Sequence, residues 1–303
     1  MSTGRVATWL PSYLALALIW GFSFFFIKVG LESFTPLGVA VGRISFGAIA
    51  LVIVTVITRA AMPPRWSWRY LFVASLLWVS IPWMLFAFAE TQVSSALAGI
   101  LNGAAPLMTL LAILIAFPEE KPTTARIVGL IVGFVGIIVV IGPEALVGSP
   151  LGIAALLGAI SCYGIAFPYA RRYLTGPTAR ERISPITMSL ALMIGGLLVT
   201  VPLSLVTGVT NGPVTTGPFL SVLALGALGS GIAYVLNFRV VTYADATTAS
   251  TVAFLTPLVA IIAGAVLLGE PLGWNQPLGG LLVVAGAATA QGLLRLPSRS
   301  RRG

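Results

Sequence analysis

Apolar runs of about twenty residues, the length an α-helix needs to cross roughly 30 Å of hydrocarbon, recur along the whole of this chain. No other feature constrains the fold as strongly. Backbone in lipid must satisfy its hydrogen bonds internally, so a spanning segment is either a helix or part of a closed barrel. Barrel strands alternate apolar and polar residues, and these runs do not. Read between charged or Pro/Gly-rich breaks, they predict ten spans, at approximately 13–31, 35–58, 69–89, 93–116, 123–141, 149–170, 184–207, 217–238, 246–268 and 275–295. Of the 303 residues, 58% are hydrophobic and 8% charged, against about 25% charged in soluble domains. The expected fold class is an all-α polytopic membrane protein. The first span is preceded by Arg5 and followed by no small-residue cleavage site, so it is expected to be retained.

Composition also removes several chemistries. There is no histidine and a single cysteine, Cys162, inside an apolar run. Imidazole acid/base chemistry, a disulfide and a Cys/His metal cluster are therefore excluded, and no metal or cofactor is expected. The net charge of +9 could suggest a nucleic-acid partner, but its placement points to lipid. With the N-terminus in the cytoplasm, every basic residue except Lys28 and Arg43 falls on the cytoplasmic side, which places both termini there. The tail RLPSRSRRG then faces anionic headgroups, and no nucleic acid is expected.

The chain repeats itself. Ala105 to Pro122 reads APLMTLLAILIAFPEEKP, and Thr256 to Gly273 reads TPLVAIIAGAVLLGEPLG. At the same 151-residue offset Gly129 meets Gly280, Ala98 meets Ala249 and Thr91 meets Thr242. Trp20-Gly21 with Lys28 answers Tyr163-Gly164 with Arg171, at an offset of 143. A break at 142–149 separates the two halves, 1–145 and 146–303. Each half has five spans, an odd number, so the second is expected to enter the membrane inverted. Inverted repeats characterise many secondary transporters, with the substrate near the midplane between the halves.

In this order the motifs resemble the EamA-type ten-helix permeases of the drug/metabolite transporter superfamily. The resemblance rests on the W-G-x-S of Trp20 to Ser23, the arginine of GRISFGAIAL and the twice-repeated proline-to-glutamate spacing. It covers nearly the whole chain. Within the superfamily the chain is most similar to the YddG group, which implies export of aromatic and other neutral amino acids. A multidrug or nucleotide-related permease is the alternative. The resemblance further implies a monomer in a bacterial inner membrane, with a small-molecule substrate and membrane lipid as partners and no enzymatic activity.

Polar and ionisable side chains at membrane depth are costly and usually face the bundle interior. Arg43 can pair bidentately with a substrate carboxylate or serve structurally by capping carbonyls. Asn102 and Asn237 can bind an amino acid's ends or join helices. Trp20, Trp78, Trp83, Tyr163 and Tyr234, with Ser23, can wall a wide apolar cavity, or pack against neighbours and lipid. Pro82, Pro106, Pro168 and Pro257 are expected to interrupt their helices, as hinges or as cavity-shaping kinks. Glu119 and Glu270 fall in short connections, where each can cap the following helix. No acidic residue stands out as a buried proton relay, so weakly coupled transport or exchange is expected. Two rivals remain: a membrane enzyme would need paired carboxylates or an activated nucleophile, and a channel would need polar rings along a pore.

Overall fold

A computed structural model describes residues 3–117, 119, 123–175, 183–244, 248–249 and 251–294. Ten helical segments follow one another among them: α1 Thr3–Gly30, α2 Pro36–Thr58, α3 Arg65–Ala89, α4 Ser95–Ala116, α5 Thr124–Gly142, α6 Pro150–Thr175, α7 Pro185–Thr207, α8 Thr216–Tyr243, α9 Val252–Leu267 and α10 Asn275–Ala290. Eight are long and apolar enough to span a bilayer. The other two, α9 and α10, have 16 residues each, about 24 Å at 1.5 Å per residue, so they are shorter than the expected ninth and tenth spans. The outside of the bundle is apolar: Ile57, Ile138 and Val206 are 75%, 71% and 84% exposed. Such a surface suits lipid and not water. The protein is a polytopic all-α membrane protein.

Helix ends follow local chemistry. Thr35 caps α2 by accepting from the Gly38 N–H at 3.0 Å, and Pro36 opens the helix, where a missing N–H costs nothing. The helix stops at Arg59, which turns left-handed at φ 49°. Ser94 caps α4 through the Leu97 N–H at 3.1 Å.

Two helices carry a π-helical turn at matching places, Leu76–Ser80 in α3 and Ala227–Ile232 in α8, whose first residues are 151 apart. A third, Arg171–Thr175, closes α6. A wide turn relieves the clash that Pro82 would otherwise make with the preceding backbone. In α8, small residues take the place of a proline: Gly226, Gly229 and Gly231 lie in or beside the turn.

The four prolines behave differently from one another. α4 breaks at Gly103 and Ala104, immediately before Pro106. Pro82 follows the π turn of α3, and Pro168 lies in α6 shortly before its π turn. Neither Pro168 nor Pro257 interrupts its helix, and α9 continues through the latter. The reason is local: the Ala253 carbonyl, four residues earlier, accepts the Thr256 hydroxyl at 3.1 Å. The bond lost to the proline ring is thus replaced.

Glycines set the closest approaches. An added Cβ on Gly129 would lie 2.5 Å from Ala290 N, one on Gly286 2.6 Å from Gly133 Cα, and one on Gly136 2.6 Å from Val283 N. As residue numbers rise along α5 they fall along α10, so this seam is antiparallel. The same holds for α4 against α9, where Gly99 faces Ala260 and Gly103 faces Pro257. A further pair of contacts obeys the repeat: Gly21 packs on Val259, and Gly164 on Met108, the residue 151 positions before Val259.

The two ends of the bundle differ. One carries Arg59, Arg65, Arg69, Arg126, Arg171, Arg172 and Arg239; Lys121, Arg180, Arg182 and the basic tail lie outside the described residues. The other, arginine-poor end holds Lys28, Glu90 and Glu270, and it is knitted shut. There Thr35 N donates to Val209 O at 3.0 Å, Asn211 N to Ser33 O at 2.9 Å, and Asn211 Nδ2 to Phe34 O at 3.1 Å.

Candidate functional site

The π turn of α8 organises the centre of the molecule. A π turn breaks the regular carbonyl pairing of a helix, and such turns often mark functional sites. Here Trp20 of α1 donates its indole N–H to Gly229 O at 3.2 Å. Ser23, one turn further along α1 and buried, lies beside Gly229 and bonds back to Ile19 O at 3.1 Å. From α2, Arg43 Nε donates to Ser230 Oγ at 3.2 Å. Its guanidinium lies 4.0 Å from the ring centroid of Trp83 in α3, a cation–π contact. Trp83 Nε1 in turn donates to Tyr163 OH in α6 at 3.1 Å, and the Tyr163 ring stacks on Phe86 at 6.0 Å. Tyr234 of α8 packs against the same buried cluster as Trp83, within electrostatic reach of Arg43.

Six of the residues singled out in the sequence are therefore brought together: Trp20, Ser23, Arg43, Trp83, Tyr163 and Tyr234. Three are not. Trp78 borders the same buried cluster as Tyr234 but turns edge-on to Phe167 at 5.1 Å, a partner 50% exposed at the bundle surface. Asn102 and Asn237 are half-buried, and among the described residues neither hydrogen-bonds to the cluster. Arg43 is also half-buried. Beyond the Nε bond, its two terminal amino groups have no hydrogen-bond partner among the described residues. A guanidinium held by one nitrogen and one ring face keeps its fork available for a planar anion.

Ser230 and Phe86 were missed by sequence reasoning. Ser230 stands in the GALGSG stretch from Gly226, which resembles a phosphate loop only superficially and lies in a helix.

A second cluster, at the arginine-poor end, holds a buried acidic residue that the sequence did not single out. Glu90 follows the last residue of α3, is 0% exposed, and both its carboxyl oxygens are buried without a hydrogen-bond partner. The start of α6 packs on the connection just beyond it: Gly152 seats against Val93 and Gln92, and Ser149 Oγ donates to Gln92 O at 2.9 Å. Lys28 Nζ donates to the backbone carbonyls of Glu90 at 2.6 Å and Val93 at 3.1 Å, a cation on the carbonyl end of α3. Burial pushes the Glu90 carboxyl well above the ordinary carboxylate range; Lys28 opposes this, Glu270 adds to it and Arg43 opposes it.

Glu270 also departs from expectation, because it does not cap the helix that follows it. It reaches across to the first turn of α4 and accepts from Ser95 N at 2.8 Å, Ser95 Oγ at 3.0 Å and Ala96 N at 3.1 Å. Gly264 leaves the room: an added Cβ there would lie 2.5 Å from Glu270 Oε2. Glu119 is exposed. Away from both clusters, an apolar groove of about 420 Å³ runs between α2 and α7 past Ile49, Val52, Ile53 and Ile194. Its residues Ile49 and Ile53 are 56% and 54% exposed, so it belongs to the outer surface.

The model of the EamA-like transporter family matches the chain twice, over residues 7–142 and 150–290. Among curated proteins, the inner membrane transporter YedA of Escherichia coli, itself uncharacterised, is 28% identical over 94% of this chain and 91% of its own. An uncharacterised transporter of Archaeoglobus fulgidus is 24% identical over 91% and 97%. The uncharacterised transporter YdfC of Bacillus subtilis is 25% identical over 88% and 86%. A protein of known crystal structure, 17% identical, covers 96% of this chain with a TM-score of 0.66, a likeness of fold.

Proposed function

The chain belongs to the EamA-like transporter family, and from that premise we propose that it is a secondary transporter that exports neutral amino acids, aromatic ones included. One observation carries the substrate class. A half-buried arginine, Arg43, keeps two unpartnered amino groups beside a cluster of Trp83, Tyr163 and Tyr234, on the π turn to which Trp20 also bonds. The guanidinium binds the carboxylate of the substrate, and the rings receive its side chain and ammonium group. A likeness to the YddG group of exporters fits this chemistry.

The two halves form an inverted repeat, a reading supported by the antiparallel α5–α10 seam and the paired π turns. The arginine-rich end faces the cytoplasm of a bacterium, across whose inner membrane the protein works as a monomer. The knitted end then faces outward, and substrate enters the central cluster from the cytoplasm. Rocking of one half against the other exchanges the closed end for the open one.

Counterflow in proteoliposomes tests this. Labelled phenylalanine or threonine should exchange against unlabelled substrate through the wild type and not through Arg43→Ala. Failure of both amino acids in the wild type, alongside exchange of a lipophilic cation, would replace the reading with a multidrug permease.

A further inference from the structure

We propose that Glu90 is a proton-binding site and that its protonation is linked to the transport cycle. The second half of that statement rests on the transporter reading above; the first half does not.

The observation is a carboxyl group with no exposure whose two oxygens have no hydrogen-bond partner. A buried ionised carboxylate without partners is far too costly to persist, so the group is held neutral, with a proton on one oxygen. The charged groups that face it are few. Lys28 from α1 spends donors on the backbone carbonyls of Glu90 and Val93. Arg43 from α2 is turned onto Trp83 and Ser230. Glu270, ahead of α10, is occupied by Ser95 and Ala96. The nearest phenol on α6, Tyr163, stacks on Phe86, one helical turn below Glu90, whose N–H bonds to Phe86 O at 3.0 Å.

A proton fits this place and a metal cation does not. Sodium or calcium would need several oxygen ligands, and the carbonyls of Glu90 and Val93 already hold the Lys28 ammonium, a cation that would repel another. The location makes the proton exchangeable. Glu90 lies one helical turn beyond Phe86 of the ring cluster, at the end of the bundle that must part when the protein opens outward. On opening, water reaches the carboxyl, the O–H bond breaks and the proton passes to that water. The carboxylate then draws Lys28 away from the end of α3. On reclosing, the carboxyl must take up a proton again before it can be buried.

Infrared spectroscopy of the purified full chain in nanodiscs tests the site without any substrate. The wild type should show a protonated-carboxyl absorption at neutral pH that is lost in Glu90→Gln. In Lys28→Gln that absorption should persist to higher pH, since the opposing cation is gone. A wild type without the absorption, or an unchanged one in Glu90→Gln, overturns the proposal. Proteoliposomes loaded with phenylalanine test the linkage. An imposed pH gradient should accelerate wild-type efflux several-fold, and the gradient response should vanish in Glu90→Gln. An equal response in both proteins overturns the linkage. Wild-type liposomes that move no phenylalanine at all defeat the transport reading, while the infrared result still decides the proton site.

Discussion

Glu270 closes the amino end of a helix 175 residues away in sequence: its carboxylate takes the backbone N–H groups of Ser95 and Ala96 and the Ser95 hydroxyl. A helix start leaves its first N–H groups without partners, and a carboxylate there satisfies them and complements the dipole. The contact also staples the α9–α10 connection to α4 at the arginine-poor end.

Removing the clasp should loosen that end. Loss of a cap costs about 0.5–2 kcal/mol, so Glu270→Ala should melt several degrees lower in detergent. In a Cys162→Ser background, a buried Val93→Cys reporter should label faster with a membrane-impermeant thiol reagent. Unchanged labelling would show that the staple does not hold the end shut.

On the proposed inverted repeat, Glu119, which stands 151 residues before Glu270, takes the same task in the opposite state. Its exposure fits a clasp that is released while the other is engaged. Glu119→Ala should therefore slow labelling of Val93→Cys, the reverse of Glu270→Ala. Effects of the same sign in the two variants would reject the reciprocity.

Arg43 should matter more for capturing substrate than for folding. Arg43→Lys keeps the charge but loses the bidentate fork, and should raise the apparent KM for phenylalanine about tenfold, equivalent to roughly 1.4 kcal/mol. Arg43→Ala should abolish saturable exchange while the protein still purifies as a single species. Exchange with an unaltered KM in both variants would make the arginine structural.

The Glu90 carboxyl also gives stability a pH dependence of definite sign. Its folded-state pKa is raised by burial, so the folded state holds its proton more tightly than the unfolded chain does. That stabilisation is complete below the ordinary glutamate pKa of about 4.3 and is lost as pH rises toward the folded-state value, by at most about 1.4 kcal/mol per pH unit. Melting temperatures of the wild type should fall across this window, and Glu90→Gln should flatten the curve. Equal slopes in the two proteins would show that another group is responsible.

The glycine seam predicts a steric asymmetry. Gly286→Val places side-chain atoms on the Gly133 backbone, and such overpacking costs about 1–3 kcal/mol. Gly217→Ala, where an added Cβ meets nothing within 4 Å, should be neutral. Equal melting temperatures for the two variants would refute the seam.

The sequence made the helices legible because lipid imposes length and polarity on every span. Hence α2, α3 and α7 lie within a few residues of where apolar runs placed them. It revealed Trp20, Arg43, Trp83 and Tyr163 because polar and ringed side chains at depth are scarce. It did not reveal the π turns, since a wide helical turn leaves only faint traces such as Pro82 or a run of glycines. Nor did it reveal Glu90, because a glutamate just past an apolar run reads as the point where the chain leaves the membrane. Its burial depends on contacts between distant segments, among them Lys28 of α1 on its backbone carbonyl. The target of Glu270 was hidden for the same reason: capping can be read from sequence, but which helix is capped cannot.

The α5–α10 seam has one more consequence. Its backbone-to-backbone fit joins the last helix of each half. Two separately expressed polypeptides, cut within the 142–149 connection, would therefore carry matching bare faces and could reassemble without a covalent link. A single half would leave its glycine face without the partner helix that fits it.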